Sequence, residues 1–195
     1  TSLTREMGDS EHHYRECLNI TDEKVCVAGS THTGEEELIL QLQKMLSLDV
    51  KIVILVAPRH IERIEEIQKL FQAKRIGYSL LSELKRKKRR RLDSIVLVDT
   101  MGELAQLYSI ADFVFCGGSL VDKGGHNVME AAMWAKPVFY GPYIADFQDA
   151  VNLLESHGGG FMVATLEELA QQIFYFSHNR QEYLSACQSA LAAFS

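Results

Sequence analysis

Residues able to do chemistry gather in four short stretches of this 195-residue chain. In one, Gly117-Gly118-Ser119-Leu120 runs on to Gly124-Gly125-His126-Asn127-Val128-Met129-Glu130. Closely spaced glycines let the backbone approach a ligand, and a helix that follows offers unpaired N–H groups to a phosphate. His126 and Glu130 stand four residues apart and share a helix face; the carboxylate there is suited to accept from two ribose hydroxyls. The alternative is a capped helix after a tight turn, because a lone glycine-rich loop is a weak signal. In a second stretch, Pro58-Arg59-His60 places a guanidinium, which pairs with phosphate or carboxylate as a fixed fork, directly after an apolar run. A salt bridge to a helix glutamate is the competing use of Arg59. In a third, Met101-Gly102-Glu103 opens a helix whose small middle residue lets the backbone read a flat base, or is simply a helix start. In the fourth, Ser30-Thr31-His32-Thr33-Gly34-Glu35-Glu36 supplies Ser30 for a sugar or phosphate contact, with helix capping as the plainer role.

These stretches need a frame that brings them together, and the pattern around them supplies one. From Lys24 onward short β-rich runs alternate with longer amphipathic segments, the sequence form of βα units around a parallel sheet. Strands are expected at Lys24 to Gly29, Lys51 to Pro58, Ser94 to Asp99, Asp112 to Gly117, Pro137 to Gly141 and Phe161 to Ala164, with a further short one at Tyr78 to Leu81. Helices are expected at Gly34 to Leu48, Ile61 to Lys74, Gly102 to Ile110, Asn127 to Ala135, Ala145 to His157, Leu166 to Ser177 and Arg180 to Ala193. Lys51 to Pro58 is nearly continuous in apolar residues, as a strand buried on both faces must be. The expected fold is a doubly wound α/β domain of about six strands and seven helices, Rossmann-like, over residues 24–195. Loops leaving the C-terminal ends of such strands meet on one edge, and all four stretches fall on those loops. Residues 1–23 are polar and show no sustained period; they read as a linker or interdomain segment with a short helix near His12 to Leu18.

Composition excludes several classes. The chain is 47% apolar with only three prolines, so it is neither disordered nor fibrous, and its longest apolar runs fall far short of the roughly 20 residues a spanning helix needs. Four widely spaced cysteines, two inside strand-like runs, read as reduced and mostly buried thiols. A net charge of −6 disfavours nucleic acid as a general partner. Neither the phosphate-loop signature GxxxxGK[ST] nor a GxGxxG run after the first strand is present, which weakens ATPase and dinucleotide readings. His12, His13, His157 and His178 have no metal-ligand spacing, and Met133 and Trp134 read as core packing.

Taken in order and spacing, AGSTHTGEE, APRH, DTMGEL, FCGGSLVDKGGHNVMEAA and KPVFYGP closely resemble the C-terminal, nucleotide-binding half of Kdo (3-deoxy-D-manno-octulosonic acid) transferases, enzymes of the GT-B fold. The match covers roughly Val25 to His157. What this resemblance implies is a donor site for CMP-Kdo, or CMP, with Pro58, Arg59, Met101, Gly102, Glu103, Asn127, Val128, Met129 and Glu130 contacting the nucleotide. Ser30, Ser119 and His126 are weaker additions near the donor. It implies lipid A or its precursor as acceptor, at the cytoplasmic face of a Gram-negative inner membrane, and a general-base carboxylate in an N-terminal domain that nothing here matches. This chain would therefore bind the donor without turning it over, hold no catalytic residue, and require no cofactor or metal ion. The chain departs from the family pattern at Val128-Met129-Glu130-Ala131, where a proline usually follows the glutamate, and at Met133-Trp134-Ala135, where small residues with glycine are usual. Helix packing, more than nucleotide binding, is affected by both.

One feature lies outside that scheme. Lys85, Arg86, Lys87, Lys88, Arg89, Arg90 and Arg91 form a run of seven positive charges that reads as a solvated loop or as a contact with an anionic membrane surface. Two rival functions stay open: a non-enzymatic module whose basic run binds nucleic acid, and an epimerase or other GT-B transferase that uses a different nucleotide sugar.

Overall fold

A computed structural model describes the backbone of residues 2–87 and 89–195, with side chains from residue 8 onward; Thr1 and Lys88 lie outside the described residues. In chain order the elements are α1 (Ser2–Cys17), β1 (Lys24–Thr31), α2 (Glu35–Leu46), β2 (Ile52–Pro58), α3 (Ile64–Ala73), β3 (Ser79–Leu80), α4 (Leu81–Lys85), β4 (Ile95–Leu97) and α5 (Leu104–Leu107). They continue with β5 (Phe113–Cys116), α6 (Met129–Ala132), β6 (Val138–Tyr140), α7 (Gln148–His157), β7 (Gly160–Met162), α8 (Leu166–His178) and α9 (Arg180–Phe194). The seven strands form one parallel sheet in the order β3-β4-β2-β1-β5-β6-β7.

Strand alternation builds two cores from one sheet. Val25, Val27, Val53, Leu55, Val96 and Val114 face one layer of helices, and Cys26, Ala28, Ile52, Ile54, Phe113 and Phe115 face the other. Because neighbouring residues of β2 go to opposite cores, its whole run Ile52 to Ala57 is buried, as its near-continuous apolar sequence requires. Cys26 and Cys116 sit in these cores as free thiols.

The chain runs from β1 to β2 and out to the edge strand β3, returns to β4 between β3 and β2, then crosses to β5 on the other side of β1. Between β1 and β5 the winding direction reverses, and such a switch point opens a crevice at the C-terminal ends of the strands. All the expected strands form. Two of the expected helices are much shorter than their sequence pattern: α5 and α6 each keep one turn, followed by a 3-10 turn and by irregular turns respectively.

Residues 1–23 differ from the expected linker. Helix α1 covers most of the stretch, and Tyr14, Leu18 and Ile20 are buried against the sheet's first core. Tyr14 and Leu18 lie four apart and so present one narrow apolar stripe, which the surrounding polar residues hide from a reading of periodicity. The additional short helix α4 starts where Asp99 accepts from the Ser82 backbone N–H at 2.9 Å, an N-terminal cap delivered from 17 residues away.

Candidate functional site

The C-terminal edge of the sheet is organised by two buried glutamates at the start of α2. Glu35 is fully buried, and its carboxylate accepts from the backbone N–H groups of His32 (2.9 Å), Gly118 (2.8 Å), Ser119 (3.2 Å) and Leu120 (3.1 Å). One side chain thus fixes the loop after β1 and the glycine loop after β5 to each other. Burial pushes its carboxyl up from the ordinary range, against the pull of those four donors. Glu36, also buried, accepts from Thr31 Oγ1 at 2.8 Å and from both terminal nitrogens of Arg63 at 2.9 and 3.1 Å, which ties the start of α3 to the same corner. The acidic first turn of α2 therefore holds the loops together as well as matching the helix dipole.

On this frame a cavity of about 390 Å³ opens between the loops after β1, β2 and β4. Ser30, Pro58, Arg59, His60, Met101 and Gly102 are among the residues that line it. Ser30 and Gly102 both adopt positive φ, 56° and 77°. At Gly102 a Cβ would meet nothing within 4 Å, so it is the left-handed backbone, not crowding, that reserves the position for glycine. Met101 stands mostly in solvent at the cavity mouth. A volume of this size is within the range that takes small-molecule ligands.

Of the residues expected at the nucleotide, Ser30, Pro58, Arg59, Met101 and Gly102 come together here, and seven do not line the cavity. Glu103 is turned away: its buried carboxylate accepts from Tyr14 Oη at 2.8 Å and is engaged by Lys85 Nζ and Thr100 Oγ1. Burial raises its carboxyl, and the three donors outweigh that and hold it below its ordinary value. Ser119 is fully buried as a backbone brace, donating to the Cys116 carbonyl at 2.5 Å and accepting from Gly141 N–H at 2.9 Å, so it has no free atom for a donor sugar. Val128 points into the core. Asn127 caps the turn of α6, accepting from Met129 N–H at 3.0 Å and donating to Glu130 Oε1 at 3.4 Å. Glu130 and His126 follow β5 on the same edge but do not line the cavity.

His126 meets the histidine that follows β1. The Nε2 atoms of His32 and His126 are 2.8 Å apart with the rings nearly parallel, and His60, a cavity residue, packs edge-on against His32. Burial, with the neighbouring His32, Arg59 and His60, lowers the His126 imidazole to about 4, and burial likewise lowers His32. His32, His60, Glu35 and Glu36 were not singled out from the sequence; the signal was the run STHTGEE, where polar residues crowd a helix start. Among the described residues no group of three or more His, Cys, Asp or Glu side chains is placed to hold a metal ion.

The basic run divides. Arg91 is buried: it donates to the carbonyls of Leu18 (2.6 Å), Asn19 (3.1 Å) and Asp93 (2.9 Å) and to Glu23 Oε1 (2.7 Å). A rigid fork of five donors can be satisfied inside a protein when carbonyls converge on it, which a count of charges does not reveal. Lys85 is bound to Glu103. Arg86, Lys87, Arg89 and Arg90 are exposed, and Lys88 lies outside the described residues.

A doubly wound parallel sheet with a ligand-sized cavity at its C-terminal edge, beside the switch point, defines a Rossmann-like domain of the kind found in GT-B glycosyltransferases. Comparison with known proteins makes this specific. The chain is 35% identical over 150 residues to the 3-deoxy-D-manno-octulosonic acid transferase of Aquifex aeolicus, 75% of this chain and 40% of that one, and it is a relative of these enzymes. It is also 38% identical over 172 residues to a bifunctional glycosyltransferase/methyltransferase of Fusobacterium nucleatum, 88% of this chain and 26% of that one. Among solved structures, the C-terminal CMP-Kdo binding domain of WaaA from Acinetobacter baumannii superposes with a TM-score of 0.78 over 95% of this chain and 97% of that one, at 23% identity. No family model matches the chain. The chain spans about a quarter to two fifths of the length of the curated relatives it matches.

Proposed function

We propose that this chain is the donor-binding half of a glycosyltransferase that moves Kdo from CMP-Kdo to lipid A or its precursor in lipopolysaccharide biosynthesis. One observation carries the reading: loops far apart in sequence deliver Ser30, Pro58, Arg59, Met101 and Gly102 to a single cavity at the C-terminal edge of a parallel sheet. In this reading Arg59 pairs with the nucleotide phosphate and the backbone at Met101 and Gly102 lies against the cytosine ring. The side chain of Glu103 shapes that turn from behind, and Asn127, Met129 and Glu130 supply the outer wall nearest the sugar.

In the whole enzyme the reaction is an inverting displacement at the anomeric carbon. A carboxylate of an N-terminal domain takes the acceptor proton, CMP departs, and Arg59 compensates the growing phosphate charge without a metal ion. With α5 and α6 reduced to one turn each, a helix dipole adds little, so the guanidinium carries that role. By itself the present chain binds CMP and has no transferase activity. Calorimetric titration with CMP, UMP and UDP tests this. Preference for CMP is expected, and a clear preference for UDP would point instead to another GT-B transferase or an epimerase.

The exposed cations Arg86, Lys87, Arg89 and Arg90 are assigned to an anionic membrane surface at the cytoplasmic face of a bacterial inner membrane. They lie between α4 and β4, and Leu92, which follows them, is almost fully exposed. An apolar side chain beside cations suits a lipid headgroup layer, where each cation contributes on the order of 1 kcal/mol. Replacing the four cations by serine should reduce binding to phosphatidylserine vesicles without changing CMP affinity. Salt-sensitive RNA binding with no response to CMP would favour the nucleic-acid alternative. Among the described residues no helix is long and apolar enough to cross a membrane.

A further inference from the structure

The two histidines that face each other across the switch point, of which only His126 is expected near the donor, do not line the cavity. His32 follows β1 and His126 lies in the loop after β5, so the crevice between these strands is bridged by an imidazole pair at 2.8 Å. Gly118 lies against both rings, where a Cβ would come within 3.2 Å of each.

Such a contact requires one Nε2 to carry hydrogen and the other to accept it. The neutral pair satisfies this with opposite tautomers. One added proton also satisfies it, because an imidazolium still donates to the neutral partner. A second proton does not, since two N–H groups would then oppose each other, so the pair is limited to one proton while the contact lasts.

Charged groups of both signs surround it. Lys123 and Arg63 act on His32 and Arg59 acts on His126, with His60 beside both; the opposing carboxylates are Glu36 and Asp146, and Glu62 lies 3.7 Å from His60. Glu36 is already bound by Arg63 and Thr31, and Glu35 is bound by four backbone N–H groups. Burial is the main cause that keeps the pair neutral when nothing is bound, and the nearby cations Arg59 and Lys123 add to it and favour an anion beside the pair. An anion there offsets the cost of charging a buried imidazole, and the protonated pair then attracts the anion in turn.

We propose that His32 and His126, flanked by Arg59 and His60, form an oxyanion site at the switch point that takes up one proton as the anion binds. The ligand class is a tetrahedral oxyanion, either the phosphate of the bound nucleotide or a free anion. Only the first source rests on the nucleotide reading of the cavity.

Sulfate is the direct probe because it stays a dianion throughout the histidine range. In ¹⁵N-resolved NMR titrations, sulfate is expected to raise the protonation midpoint of the pair by about one unit or more. His32→Asn and His126→Asn, each checked for cooperative melting, should remove the shift. Calorimetry at the raised midpoint, in buffers of different ionisation enthalpy, then compares CMP with cytidine. Proton uptake with CMP and none with cytidine assigns the site to the nucleotide phosphate, and a sulfate response without CMP uptake assigns it to a free anion. Midpoints unmoved by sulfate, with CMP uptake absent or equal in wild type and both variants, would overturn the proposal. Failure of CMP to bind at all would count against the donor reading and leave the sulfate result standing.

Discussion

The phenol of Tyr14 donates to Glu103 Oε1 at 2.8 Å across 89 residues of sequence, and so joins the N-terminal helix to the turn that lines the cavity. Lys85 and Thr100 share the same carboxylate, which makes it a junction of α1, α4 and the loop after β4. Tyr14→Phe removes one hydrogen bond to a charged acceptor and should lower stability by about 1.5–3 kcal/mol in urea unfolding. CMP affinity should fall with it if this junction sets the Gly102 turn. A variant as stable as wild type would show that the phenol contributes nothing net.

Arg91 and Arg90 are neighbours in a run of like charges and should behave as different residues. Arg91→Met leaves three carbonyls and Glu23 without their donor, and breaking a buried pair in this way costs about 3–5 kcal/mol. Arg90→Ser, on the exposed side, should stay within about 0.5 kcal/mol of wild type. Guanidinium unfolding of the two variants measures the contrast, and equal midpoints would contradict the burial of Arg91.

Acid sensitivity should come in part from Glu23. Burial alone would raise its carboxyl, but hydrogen bonds from the Thr21 N–H and from Arg91 overcome this and bring it down to about 2. Because the folded value is below the unfolded value of 4.5, the stabilisation is complete above the latter and is lost as the pH falls toward the former. Melting temperatures of wild type and Glu23→Gln should differ most near neutral pH and converge at the acid end. A constant difference across the range would exclude ionisation as the cause.

Glu35→Ala should be among the most damaging substitutions on the cavity edge. It leaves four backbone N–H groups without an acceptor, each costing about 1–3 kcal/mol where it stays buried. Glu35→Gln keeps an oxygen in place and should be clearly milder. Hydrogen exchange at Gly118, Ser119 and Leu120 should accelerate in both, and unchanged protection would show that other contacts hold the glycine loop.

Arg59→Ala should weaken CMP binding by about 1.5–3 kcal/mol with little change in melting temperature, as expected for loss of a charge-assisted contact to phosphate. Arg59→Lys should recover only part, because an ammonium lacks the two-pronged geometry. Full affinity in the alanine variant would remove Arg59 from the phosphate role.

Local sequence by itself determined the strands, the two-sided burial of Ile52 to Ala57, and the placing of four polar loops on one edge, because strand pleat and parallel connection impose period and direction on neighbouring residues. It also sufficed to bring Arg59 and Gly102 to one edge. The lengths of α5 and α6, the fate of Glu103, the burial of Arg91 and the meeting of His32 with His126 were decided only by tertiary structure. In each of the last three at least one partner lies 73 or more residues away, and a side chain's pairing depends on which distant donors and acceptors the folded chain sets within hydrogen-bond reach. Charge type and spacing say what a residue can do; the three-dimensional neighbours select which of those things it does.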